Sequence, residues 1–166
     1  MSLFSFFKKK PEPEAVVVPA DGVKAIAEGI LFEGEDIFLK WGADIEAVKL
    51  YAKKGYRADR TIYEWGEKTI LKGLTLPLRT VCWNHKQHGE TKSFESIDFL
   101  AEGDAADEYF KATRKHLEGI FGEPKQHDDL QPGEVSLEWK IKAVKISLNF
   151  FNKERPKTYL EIGWWL

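Results

Sequence analysis

Cys82, His85 and His88 stand as Cys-x-x-His-x-x-His, three side chains able to bind a metal or pair a thiol with a base. Zinc takes three or four such ligands converging at about 2 Å, and His116, His127 or Asp128 would complete the set. The same residues could form a thiol nucleophile and its base, but no helix start falls near Cys82 to lower its pKa. The spacing matches no common zinc pattern. Strand alternation also turns Cys82 inward, where a single cysteine serves as a small core residue. There is no Gly-x-Ser-x-Gly elbow, no glycine-rich phosphate loop and no His-Glu-x-x-His. A small metal- or thiol-dependent enzyme centred on Cys82, His85 and His88, with His127, is therefore the second reading. No cofactor is expected.

Carboxylates gather in two places. Glu33, Glu35 and Asp36 fall on a turn, and Glu123, Asp128, Asp129 and Glu134 follow a helix. Neither set has the alternating ladder of a calcium loop, and both suit solvated turns. Lys53, Lys54, Arg57 and Arg60 form the one dense basic patch outside the N-terminus. A net charge of -2 argues against a dedicated nucleic-acid binder, which needs clustered cations to release counterions. Base stacking on sheet aromatics is a third reading.

The aromatic residues carry more weight. In the last strand Leu160, Ile162 and Trp164 alternate with Tyr159, Glu161 and Trp165, and Trp83 alternates with Cys82. Tyr159, Trp165 and Trp83 thus fall on the face opposite the core, where large aromatics mark a docking surface. Glu161, Lys145 and Lys157 supply its polar rim. The alternative is that the N-terminal arm or a neighbouring strand covers these rings.

The elements that position these residues follow from periodicity. Residues 1–21 read as an extended arm, with Leu3, Phe4, Phe6 and Phe7, three lysines, and Pro11, Pro13 and Pro19. This arm is expected to be flexible, and its aromatic and basic tip to contact a membrane or partner weakly. Two short apolar runs around Glu33-Gly34-Glu35-Asp36 predict a hairpin. Asp44 caps a predicted helix whose stripe is Ile45, Val48 and Tyr51 with Ala52 and whose stop is Gly55. A second helix, capped by Asp104 and stopped by Gly122, shows Ala106, Tyr109 with Phe110, Thr113, Leu117, and Ile120 with Phe121 as one apolar stripe.

Each predicted helix precedes strands. After the second, Val135 to Ile141, Val144 to Phe150 and Tyr159 to Trp165 alternate with period two, the mark of an antiparallel sheet wet on one side. After the first come Tyr63 to Trp65, a long middle strand through Ile70, Lys72, Leu74 and Leu76 ended by Pro77, then Leu78 to Trp83 and Phe94 to Leu100. Tyr63-Glu64-Trp65 echoes Leu137-Glu138-Trp139. The expectation is an α+β fold of duplicated helix-plus-three-strand units, internal repeats 43–103 and 104–166. Two helices would pack on one face of a single sheet, in one domain over 22–166.

A chain of 166 residues, 43% apolar and 31% charged, can bury a core. One cysteine excludes an internal disulfide, and no stretch has the roughly 18 apolar residues of a membrane span. A cytoplasmic location and no transmembrane segment are expected. In outline the chain is similar in style to bacterial immunity proteins and secretion chaperones, an analogy of fold alone. The leading expectation is a non-enzymatic protein-interaction module, its partner another protein or a second copy, with no specific nucleic acid.

Overall fold

A computed structural model describes residues 19–57, 60–85, 89–90, 93–127, 131–152 and 154–165, without the side chains of 54–57, 83–85 and 89–90. Most of the proposed arm, Asp128, Asp129, His88 and the side chains of Trp83 and His85 lie outside these residues.

The chain enters through a short helix that periodicity did not reveal. The Asp21 carboxylate accepts the Val23 and Lys24 amides at 3.0 and 3.3 Å and starts α1 (Gly22–Ala25). Strands β1 (Gly29–Phe32) and β2 (Ile37–Lys40) then form the expected antiparallel hairpin. Asp44 caps the Glu46 amide at 2.9 Å, also as expected, but α2 (Ile45–Val48) is a single turn. Lys49–Tyr51 tighten into a 3-10 turn, and β3 (Lys53–Arg57) places Gly55 opposite Ile62. Gly55 is therefore a strand residue, not a helix stop. A helix this short is marginal without packing, and Tyr51, 53% exposed, supplies none. Strand pairing satisfies the backbone instead.

Strands β4 (Arg60–Ile70) and β5 (Leu74–His85) replace the expected middle strand through Ile70 to Leu76. Leu71, Lys72 and Gly73 turn with φ of 47°, 60° and 103°. Glu33, from the β1–β2 turn, holds that turn by accepting the Lys72 and Gly73 amides at 2.6 and 3.0 Å. Glu35 pairs with Lys68 at 2.6 Å. These turn carboxylates thus stitch the hairpin onto the sheet. Pro77 does not end a strand but lies within β5, beside a bulge between Glu64 and Gly66 where Gly66 takes φ 74°. Backbone strands β6 (Gly89–Glu90) and β7 (Ser96–Glu102) complete this half.

Helix α3 (Ala106–Phe121) buries Ala106, Phe110, Thr113 and Leu117 of the expected stripe, whereas Tyr109 is exposed and Ile120 and Phe121 are only partly covered. Its N-cap is Ala105 rather than Asp104 and makes no side-chain bond, while Gly122 ends it at φ 79°. A three-residue strand β8 (Lys125–His127), unsignalled by its polar sequence, precedes β9 (Val135–Ile141), β10 (Val144–Phe151) and β11 (Lys157–Trp164).

One antiparallel sheet orders these strands β3-β4-β5-β7-β11-β10-β9-β8, with β6 on the end of β5. Each half of the chain runs inward from an edge, and the halves meet where β7 pairs with β11. Helix α3 covers β10, β11 and β7 from one side. Its docking is fixed by Thr158 Oγ1 donating to the Ala106 carbonyl at 2.5 Å and Trp139 Nε1 donating to the Gly122 carbonyl at 2.9 Å. Among the described residues the other half is not backed by a second full helix. The β1–β2 hairpin does that work, with Phe32 against Trp65 at 5.7 Å and the Glu33 amide bonded to the Thr69 carbonyl at 2.8 Å. The turn α2 adds Ile45 and Val48 to the same core. Among the described residues no helix is long and apolar enough to cross a membrane.

Candidate binding surface

The sheet face away from α3 is built by alternation. Leu160 and Ile162 of β11 are buried in the core, so Tyr159 and Glu161 emerge on the opposite side. Register then decides their neighbours. Glu161 lies directly across from Asp98 of β7 and Ser147 of β10, and Lys145 across from Gly163. Asp98 in turn is opposite Arg79 of β5. Among the described residues Arg79–Asp98 is the single register pair joining β5 to β7, supported by Thr80 Oγ1 donating to the Ser96 carbonyl at 2.9 Å. Where the two strands diverge a cleft of about 280 Å³ opens, walled by Asp98, Glu161, Tyr159, Trp165, Glu95 and Ser96.

This cleft disfavours negative charge. Asp98 is 2% exposed and accepts a bond from Arg79 Nε. Burial nevertheless pushes its carboxyl up to about 6, against the pull of Arg79. Burial also raises Glu161, opposed by Lys145. The Tyr159 phenol is raised by burial and then by Asp98 and Glu161, so it stays neutral across ordinary pH.

Trp165 forms the outer wall at 55% exposure. Its backbone amide donates to the Ala143 carbonyl at 2.9 Å, and its indole folds back over Gly163. A Cβ at Gly163 would stand 3.0 Å from the indole Nε1. Lys145 Nζ sits 4.1 Å from the centre of this ring, a cation–π contact.

Of the anchors and rim residues expected from sequence, Tyr159 and Trp165 and the rim residues Glu161 and Lys145 converge here. Lys157 shares the face but is engaged at the far end of β11, 2.8 Å from Glu102, which Arg155 approaches at 3.6 Å. These cations hold the Glu102 carboxyl below its ordinary range, the Lys157 hydrogen bond most of all. Trp83 pairs with Arg60 in the β4–β5 register.

Of the metal or thiol candidates, Cys82, His116 and His127 stand apart, while His88 and the His85 side chain lie outside the described residues. Cys82 is buried on the core side of β5. His127 lies on β8, five strand spacings from β5, about 24 Å at the usual ~4.8 Å per spacing. His116 Nε2 is 2.7 Å from the Leu71 carbonyl, at the opposite end of β5 from Cys82. Among the described residues no group of three or more His, Cys, Asp or Glu could hold a metal.

Sequence reasoning missed Asp98, Arg79 and Glu95. Asp98 did carry a signal: one carboxylate between Ile97 and Phe99 in an apolar strand, on the parity that faces away from the core. Arg79 carried none, because nothing local says that β5 will lie beside β7. Comparison with protein-family models, with curated proteins and with solved structures finds no match for this chain.

Proposed function

We propose that this chain is a non-enzymatic protein-interaction module that docks its partner on the open sheet face, around Trp165 and Tyr159. The observation that carries this reading is Trp165, 55% exposed on the open sheet face beside a cleft. Exposed indole is costly, and Trp and Tyr ringed by polar groups are the usual anchors of protein interfaces. Glu161 and Lys145 surround them, and the Lys157–Glu102 pair extends the rim. The partner is another protein or a second copy of the chain. The inward strand runs that meet at β7–β11 are what fusion of two helix-plus-strand units would leave, and such a fusion would give one broad platform.

A photo-cross-linking residue placed at Lys145 tests this in the native cell, with the same residue at Lys111, on the exposed side of α3, as the control. Cross-links to one defined protein from Lys145, absent from Lys111 and lost in a Tyr159→Ala, Trp165→Ala variant, are expected. Equal capture from both positions, or none from Lys145, would overturn the proposal.

A further inference from the structure

We propose that the cleft between β5 and β7 receives a cationic side chain, the guanidinium of an arginine or the ammonium of a lysine, presented on an exposed segment of the partner. This rests on the open face being the docking surface and adds the chemistry of what enters it.

Charge is the first argument. Asp98 and Glu161 stand directly opposite one another across β7 and β11, a like-charge pairing that costs stability. Glu95 lines the same cleft. Against these three carboxylates the surroundings supply Arg79, bonded to Asp98, and Lys145, laid on the Trp165 ring. Arg60, from β4, acts on Asp98 only at longer range, and Glu64 stands opposite Arg79 in the β4–β5 register. Among the described residues no hydrogen-bond donor reaches the Glu161 carboxylate, although the residue is only partly exposed. One further cation would give Glu161 a partner and screen it from Asp98. Incoming anions would add to the repulsion, and an apolar group would bury the carboxylates further without compensation.

Shape is the second. The cleft holds about 280 Å³, room enough for one long side chain. Its lining includes the rings of Tyr159 and Trp165, and aromatic faces together with carboxylates are the surroundings that recognise ammonium and guanidinium groups. Lys145 over Trp165 is a cation already held in that way by this chain.

The test is a titration of the full chain with blocked Gly-Arg-Gly and Gly-Lys-Gly peptides, followed through the amide resonances of Ser96 and Gly163 and the indole N–H of Trp165. The matched citrulline peptide, which keeps the shape and loses the charge, and Gly-Glu-Gly serve as controls. Saturable shifts with arginine or lysine are expected, with binding about ten-fold weaker or worse for citrulline, since a charge-assisted bond is worth at least that factor. Asp98→Asn combined with Glu161→Gln should weaken the arginine peptide similarly. Equal binding of citrulline, no saturable shift with either cation, or the same shifts from calcium chloride alone would overturn the proposal. The citrulline comparison uses the unaltered chain and does not depend on a variant folding. If cross-linking from Lys145 succeeds while the peptides fail, the cationic occupant is wrong and the docking face stands; if cross-linking fails, the face itself is wrong.

Discussion

Replacing Asp98 by Asn separates two opposed effects at the centre of the sheet. Asp98 is 2% exposed, and burial moves its carboxyl from the ordinary 3.8 to about 6 despite the bond from Arg79. That displacement amounts to on the order of 3 kcal/mol of preference for the neutral form in the folded chain. The sign follows from linkage: a raised folded value contributes stability that is complete below the unfolded value and lost as pH rises through the folded one. Asp98 should therefore make the chain more stable at about pH 4 than at about pH 7, the reverse of ordinary acid denaturation. Asparagine mimics the neutral acid and can still accept from Arg79 Nε, so Asp98→Asn should match or exceed the parent stability at neutral pH, by up to about 3 kcal/mol. It should also flatten the slope between about pH 4 and pH 6. Urea unfolding of both proteins across this range measures the difference. The competing outcome is that the ion pair outweighs its desolvation, in which case breaking it costs about 3–5 kcal/mol at neutral pH. A variant that much weaker, or one whose pH profile runs parallel to the parent's, would refute the reasoning.

Two further perturbations probe the scaffold and the wall of the cleft. Glu33→Ala removes the acceptor of the Lys72 and Gly73 amides; since water can partly replace it, a loss of about 1–2 kcal/mol is expected. Amide exchange at Lys72 and Gly73 should quicken, and unchanged exchange would show that the hairpin does not hold this turn. Gly163→Ala puts a methyl group 3.0 Å from the Trp165 Nε1 and 3.3 Å from the Ser96 Cβ. The ring is the part free to move, so the Trp165 indole resonance should shift while stability changes by no more than about 1 kcal/mol. An unmoved indole signal would place the ring elsewhere.

Where one periodicity was unbroken, local reasoning reached the structure. Val135 to Ile141 and Val144 to Phe150 alternate cleanly and form β9 and β10, and the 3.6-residue stripe of α3 ends at Gly122. It failed where pairing partners from elsewhere overrode a local pattern. Ile45, Val48 and Tyr51 have helical spacing, yet Gly55 finds its hydrogen bonds in β4. Leu71 and Lys72 carry no turn signal, and their left-handed backbone is held by Glu33, 39 residues from Lys72 in sequence. The candidate site divides in the same way. Tyr159, Glu161 and Trp165 were legible because alternation alone puts them opposite the core.

By itself, then, the sequence determined an α+β chain with an antiparallel sheet, the terminal meander, the long helix and the parity of its exposed aromatics. These depend on which side of its own strand or helix a residue occupies, and side-chain period encodes that locally. Only the tertiary structure decided that β7 lies between β5 and β11, that a hairpin backs half the sheet, and that Arg79, Asp98 and Glu161 meet. Strand order is a contest among distant segments for backbone hydrogen bonds and buried area, and no single segment carries its outcome.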